Sequence, residues 1–299
     1  MSTNMISEVI SGETKSDAAA QLYLDLIKKC LTRFIFPETY RPIKIRPSRR
    51  AHPIPWAVYP MVTPILAKLN VELSRHAPFD PAARSEGRDW PPEAETMVGL
   101  KRLENLQYCV REVIQRNVPG DLIETGVWRG GASIFMRAVL KAYQDQTRCV
   151  WVADSFEGLP KPDGRYRQDT GNWHSELDNP LGISLEQVKA NFTRYGLLDE
   201  QVRFLVGWFK DTLPTAPINH LAVLRLDGAM YSSTMDALES LYHRLSPEGY
   251  AIIDDYGAIP TCKQAVDDFR AEHKITEQLQ QIDWTGVFWK KLRSCGSSE

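Results

Sequence analysis

Acidic residues collect where three apolar runs stop. Asp121-Leu-Ile-Glu-Thr-Gly126-Val-Trp-Arg-Gly130-Gly131 reads as a buried strand that breaks into a glycine turn and opens a helix. Leu226-Asp227-Gly228 and Ile253-Asp254-Asp255-Tyr256 read as two further strands, each ending in carboxylates. Three carboxylates brought together would repel one another, and a hard cation with oxygen ligands is the natural resolution. Asp227, Asp254 and Asp255 are therefore the expected ligands of a divalent ion. Mg2+ suits them because it keeps several waters and leaves positions for a substrate hydroxyl. Beside the ion that hydroxyl would lose its proton more readily and become a nucleophile, and Asp227 is placed to accept the proton. The plainer reading has each Asp capping a helix start, which accounts for one acid at a time.

The glycine turn points to a second ligand. Gly126, Gly130 and Gly131 do not spell the G-x-G-x-x-G of dinucleotide folds. They leave an acid two residues ahead of the first glycine and a helix start whose N–H groups and dipole suit a small anion. S-adenosylmethionine brings a carboxylate of that size, whereas NAD needs room for a pyrophosphate. Glu124 is then available to the ammonium of the methionine portion, with Thr125 and Gly126 beside it. The next strand ends at Asp154-Ser155, where an acid can accept both ribose hydroxyls. Gly207-Trp208-Phe209 closes the third strand, and its rings could wall an adenine. The alternatives are glycines serving a tight turn, Asp154 capping a turn, and core aromatics.

Histidine and cysteine offer no competing chemistry. His52, His76, His174, His220, His243 and His273 show no metal-like spacing, and His243 falls in a helical run and reads as structural. His174, beside Trp173 in the polar stretch from Asp163 to Gly182, is a candidate substrate contact, as is Tyr256. The five cysteines have no C-x-x-C pair and read as reduced, packed thiols. No Gly-x-Ser-x-Gly elbow occurs.

These residues need a scaffold to bring them together. From Leu122 onward short apolar strands and helices alternate: Leu122–Val127, Ala132–Tyr143, Cys149–Ser155, Ser184–Tyr195, Val202–Val206, Leu221–Asp227, Thr234–Leu245, Tyr250–Asp254 and Lys263–Lys274. Such alternation predicts a parallel, doubly wound α/β sheet with ligands at its carboxyl edge. Ile275–Ile282 and Gly286–Leu292, with no helix between them, predict an antiparallel closing hairpin. Upstream, residues 1–16 are polar and expected to be disordered, and Asp17–Phe36 predicts an amphipathic helix ended by Pro37. Residues 17–92 form an N-terminal helix and arm, with ten of the nineteen prolines between Glu38 and Pro92. That arm is expected to pack on the core or on a second subunit. A further helical pattern runs from Ala94 to Arg116, at the head of the main domain, residues 93–299.

The 299 residues, 43% of them hydrophobic, suffice for a substantial core. A net charge of -2 argues against nucleic acid and for a small-molecule partner. Neither a signal peptide nor an apolar run of membrane-spanning length is present, so the expected location is the cytoplasm, and a homo-oligomer fits the helix and arm.

Longer stretches of text carry a family resemblance. Thr96-Met-Val-Gly-Leu-Lys-Arg-Leu-Glu-Asn-Leu-Gln107, Pro119 to Ser133, Ala153 to Pro160, Val188 to Pro214 and Leu224 to Tyr256 closely resemble the macrocin O-methyltransferase family. These enzymes use magnesium and S-adenosylmethionine to methylate sugar or phenolic hydroxyls of antibiotics. The resemblance implies a class I methyltransferase fold, Rossmann-like, with a seven-stranded mostly parallel sheet and an N-terminal helical arm. It also implies Asp227, Asp254 and Asp255 as metal ligands, the first as general base, and Glu124, Gly126 and Asp154 as cofactor contacts. One departure stands out: the family continues Asp-Gly-Asp where this chain has Asp227-Gly228-Ala229, so any role of that second acid is missing. Met230 likewise excludes the lysine that related catechol-type enzymes carry three residues after the first metal Asp. A non-catalytic binding scaffold of the same fold and an NAD-linked reductase are the competing readings.

Overall fold

The computed structural model describes residues 15–42, 64–66, 68–71, 73–162, 164–170 and 181–292. Trp173 and His174 lie outside the described residues, as do residues 43–63 of the arm.

Helix α1 (Lys15–Leu31) buries Leu24 and Leu31 completely and leaves Leu22 and Leu26 facing out. It ends at Leu31, well short of Pro37. Thr32 Oγ1 donates to Lys28 O at 2.8 Å, Arg33 takes a φ of 53°, and the Phe34 N–H returns to Lys29 O at 2.8 Å. A left-handed residue just past the last turn closes a helix without proline. The second expected helix also starts late. Glu95 and Thr96 donate their N–H groups to Leu31 O, at 3.1 and 3.3 Å, which holds 94–99 out of the helix. Helix α2 (Leu100–Gln115) begins only after Gly99.

The strands and helices of the sheet follow in order: β1 (Asp121–Thr125), α3 (Gly131–Ala142), β2 (Val150–Asp154), α4 (Leu185–Arg194), β3 (Val202–Val206), β4 (Leu221–Leu226), α5 (Tyr231–Leu241), β5 (Leu245–Ile253), α6 (Pro260–Glu272), β6 (Gln280–Gln281) and β7 (Val287–Lys290). Hydrogen bonding orders the seven strands β3-β2-β1-β4-β5-β7-β6. The first five are parallel, and β7 runs antiparallel to both β5 and β6. The doubly wound sheet and closing hairpin expected from the sequence are thus present.

Strand alternation divides the core into two layers. Leu122, Val223 and Ile252 face α1 to α4, whereas their neighbours Ile123, Leu224 and Ile253 face α5 and α6. Leu24 and Leu31 join the first layer, so α1 shares a core with the sheet. Boundaries elsewhere differ from expectation too. Helix α5 ends at Leu241 and passes into a 3-10 turn, Tyr242–Arg244, that carries His243 exposed outside the helix. Strand β5 starts early, at Leu245, through a bulge where Glu248 takes a φ of 71°. Helix α6 starts at Pro260, whose fixed φ and missing N–H suit the first turn. No helix among the described residues is long and apolar enough to cross a membrane.

Candidate active site

The parallel ladder continues one step past each strand, and that step sets out the site. Gly126 donates its N–H to Ala153 O at 2.9 Å, Asp227 to Thr125 O at 2.8 Å, Asp254 to Leu226 O at 2.9 Å, and Gly207 to Asp154 O at 2.9 Å. The acids that end β2, β4 and β5 therefore stand on one edge of the sheet. A side chain on Gly126 would meet Asp227 O at 2.2 Å, so only glycine lets the β1 and β4 ends come this close.

Asp227, Asp254 and Asp255 each present a carboxylate oxygen within 4.8 Å of the others. Burial and the Asp254 charge push Asp227 up to about 6. Burial, then Asp227 and Asp254, push Asp255 well above the usual carboxylate range. Beneath them lies a buried ion network. Arg225 Nη1 meets Glu124 Oε1 at 2.5 Å and Asp227 Oδ2 at 2.9 Å, and its Nη2 meets Asp254 Oδ1. Arg102, reaching in from α2, takes the other oxygen of Asp254 and lies 3.0 Å from Asp283 Oδ2. The other Asp283 oxygen accepts the N–H groups of Thr285 and Gly286, while Thr285 Oγ1 donates to Asp254 O at 3.0 Å. Glu124 also receives the Ser133 hydroxyl, and burial pushes its carboxyl up to about 7 against the pull of Arg225 and Ser133.

Beside the acids, two loops are tied together by Asp154. Its Oδ2 accepts the Val127 N–H and its Oδ1 the Phe156 N–H, both at 2.7 Å. Ser155 Oγ closes the following turn on Gly158 O at 2.8 Å. Trp128, Phe156 and Ala229 sit just past the ends of β1, β2 and β4, at φ of 47°, 59° and 58°. Three non-glycine residues in left-handed conformations around one edge are the kind of strain that collects at functional sites.

A family model for macrocin O-methyltransferases matches residues 20–291 of the chain. The chain belongs to this family. A Streptomyces olivaceus relative, 8-demethyl-8-(2,3-dimethoxy-alpha-L-rhamnosyl)-tetracenomycin-C 4'-O-methyltransferase, is 52% identical over 95% of the chain and 97% of its own length. The demethyldecarbamoylnovobiocin O-methyltransferase of Streptomyces niveus is 47% identical over 94% of the chain and 97% of its own. Among solved structures, the O-methyltransferase NovP superposes with a TM-score of 0.76 at 46% identity, covering 92% of this chain and all of that one (100%). The fold is that of a class I methyltransferase and the protein is an O-methyltransferase, which removes the non-catalytic and reductase readings.

Several expected residues of this O-methyltransferase have surroundings that sequence alone did not show. The glycine pair is a packing device: Gly131 donates its N–H to Glu95 O at 3.0 Å, and a side chain there would meet that oxygen at 2.5 Å. A side chain on Gly130 would strike Val188 of α4 at 2.9 Å. Thr125 is fully buried at the end of β1. Gly207 has a φ of 134°, and Trp208 leads into a short helix, Phe209–Thr212. Phe209 lies against Gly228, next to Asp227. The Tyr256 hydroxyl donates to Asp267 Oδ1 at 2.7 Å and accepts from Lys263 at 2.8 Å.

Arg225, Arg102 and Asp283 were absent from the sequence-based site. Arg225 did leave a signal, a lone charge inside the apolar run Leu221-Ala-Val-Leu-Arg-Leu226, since a charge so placed survives burial only if paired. Asp169 was missed as well. It is buried, and its two oxygens accept the N–H groups of Tyr231 and Ser232, each at 2.9 Å, capping α5 from a distant loop.

Proposed function

We propose that this O-methyltransferase takes its methyl group from S-adenosylmethionine and, with Mg2+, delivers it to a sugar or phenolic hydroxyl of a natural product. The observation that carries the reading is the convergence of Asp227, Asp254 and Asp255 within 4.8 Å beside the strained cofactor loops. The donor set fits a hard divalent cation. Five acids (Glu124, Asp227, Asp254, Asp255 and Asp283) share two arginines, Arg102 and Arg225, which leaves an excess of negative charge in a buried place. Asp227, Asp254 and Asp255 would hold the ion, which when bound supplies Lewis acidity to the acceptor hydroxyl.

The rest is the work of this chain's own side chains. Asp227, oriented by Arg225, is placed to accept the hydroxyl proton. Glu124 keeps one lone pair on each oxygen for the cofactor's ammonium, beyond the bonds from Ser133 and Arg225. Gly126 lines the approach while the buried Thr125 holds Asp227 through its carbonyl, Asp154 and Ser155 stand at the ribose, and Gly207, Trp208 and Phe209 form the adenine wall. Tyr256 faces the acceptor. The names of the relatives place their methyl groups on glycosylated or novobiocin-type compounds, and the same class of acceptor is proposed here.

The test is S-adenosylhomocysteine formation from a glycoside panel, with and without chelator, in wild type and in Asp227→Asn, Asp254→Asn and Asp255→Asn. Chelation and each substitution are expected to remove turnover. Turnover that persists in all three variants would sink the proposal.

A further inference from the structure

Residues 86–95, where the arm passes into the main domain, form a strap fastened at both ends. At one end Trp284 Nε1 donates to Glu86 O at 2.8 Å, and Gly87 lies so close to Arg102 that a side chain would meet its Nη2 at 2.3 Å. Trp284 belongs to the hairpin turn whose Thr285 holds Asp254, so this end is fixed to the metal side. At the other end Arg129 Nη1 donates to Pro92 O and Ala94 O, at 2.7 and 2.9 Å, and Gly131 donates to Glu95 O. These residues belong to the loop that Asp154 ties down, so this end is fixed to the cofactor side.

Between the fastenings two side chains reach in opposite directions. The Arg88 guanidinium lies over the Trp284 ring at 4.8 Å, and Trp90 meets Trp128 edge to face at 6.0 Å. Two residues of extended chain cover at most about 7 Å, so the ring against Trp128 and the guanidinium over Trp284 are carried on neighbouring positions of the strap. Trp90 is 46% exposed although it is anchored against Trp128. A fixed aromatic ring open to solvent, with a guanidinium two residues away, matches the apolar face of a sugar ring and its rim of hydroxyls.

We infer that Trp90 is a specificity-determining residue of the acceptor site and that its ring receives the sugar of a glycoside acceptor. The inference rests on the reading under Proposed function and deepens it. Removing the ring weakens acceptor capture while leaving the loops that Asp154 ties together as they were.

The experiment compares wild type, Trp90→Phe and Trp90→Leu, using the glycoside that wild type methylates fastest from a panel containing rhamnosylated tetracenomycins. Acceptor KM is read alongside kcat, melting temperature and S-adenosylhomocysteine affinity by calorimetry. Trp90→Leu is expected to raise acceptor KM about tenfold, equivalent to about 1.4 kcal/mol. Trp90→Phe should recover most of the loss, and cofactor affinity should be unchanged in both. Unaltered KM in Trp90→Leu, or a parallel loss of cofactor affinity, overturns the inference. A wild type that methylates free phenols but no glycoside overturns the sugar assignment and spares the O-methyl transfer reading. A wild type that methylates nothing overturns both.

Discussion

Arg225 is the residue on which the electrostatics of the site turn. It is buried in the middle of β4 with three carboxylates around its guanidinium. Replacing it by methionine keeps the bulk and removes the charge, leaving buried acids unpaired. Arg225→Met is expected to destabilise the protein by about 3–5 kcal/mol, measurable by urea denaturation, and a change under about 1 kcal/mol would refute this account. The acids also set a pH signature. Glu124 is raised to about 7 and Asp227 to about 6 in the folded protein, both above their unfolded values. The folded state therefore holds these protons longer than the unfolded chain does. Their contribution is present at low pH and is lost as pH rises from about 4 to about 7. A divalent ion binds the deprotonated acids and so works against this loss. The rise in melting temperature caused by a fixed Mg2+ concentration should be larger at about pH 7.5 than at about pH 5.5. An equal or reversed difference would count against metal at this cluster.

Helix α5 shows what an element needs beyond its own sequence. Its start was expected at Thr234, yet it begins at Tyr231, because the missing cap is Asp169, 62 residues away. Arg165, bonded to both oxygens of Asp236 at 2.8 and 2.9 Å, fastens the same loop to the same helix. Asp169→Ala should lower stability by about 0.5–2 kcal/mol, seen as a lower melting temperature, whereas an unchanged melting temperature would show the cap to be idle. The strands were legible because each is a short apolar run between turn residues. Val202–Val206 came out with the bounds read from sequence, and Leu221–Asp227 ran one residue past the strand's end at Leu226. The ends of α1 and α2 were not legible. They depend on Arg33 in a left-handed turn and on Glu95 and Thr96 bonding back to Leu31, contacts with no local signal. For the same reason the three aspartates could be found at strand ends, whereas Arg102, which arrives from another helix, could not.

On the scale of the whole molecule, the N-terminal helix is part of the core. Leu24 and Leu31 are fully buried among residues of α2, α3 and the sheet. Leu31→Ala is expected to cost about 2–5 kcal/mol, with a matching fall in the denaturant midpoint. A loss under about 1 kcal/mol would mean that α1 is only loosely applied to the domain. The sheet order has a consequence of its own. Strand β7 enters between β5 and β6 and comes last among the strands in the chain, and the turn before it carries Asp283 and Thr285, which fix Arg102 and Asp254. A chain cut short before Asp283 would leave Arg102 and Asp254 without these partners, so the support of the three aspartates hangs on the final tenth of the sequence.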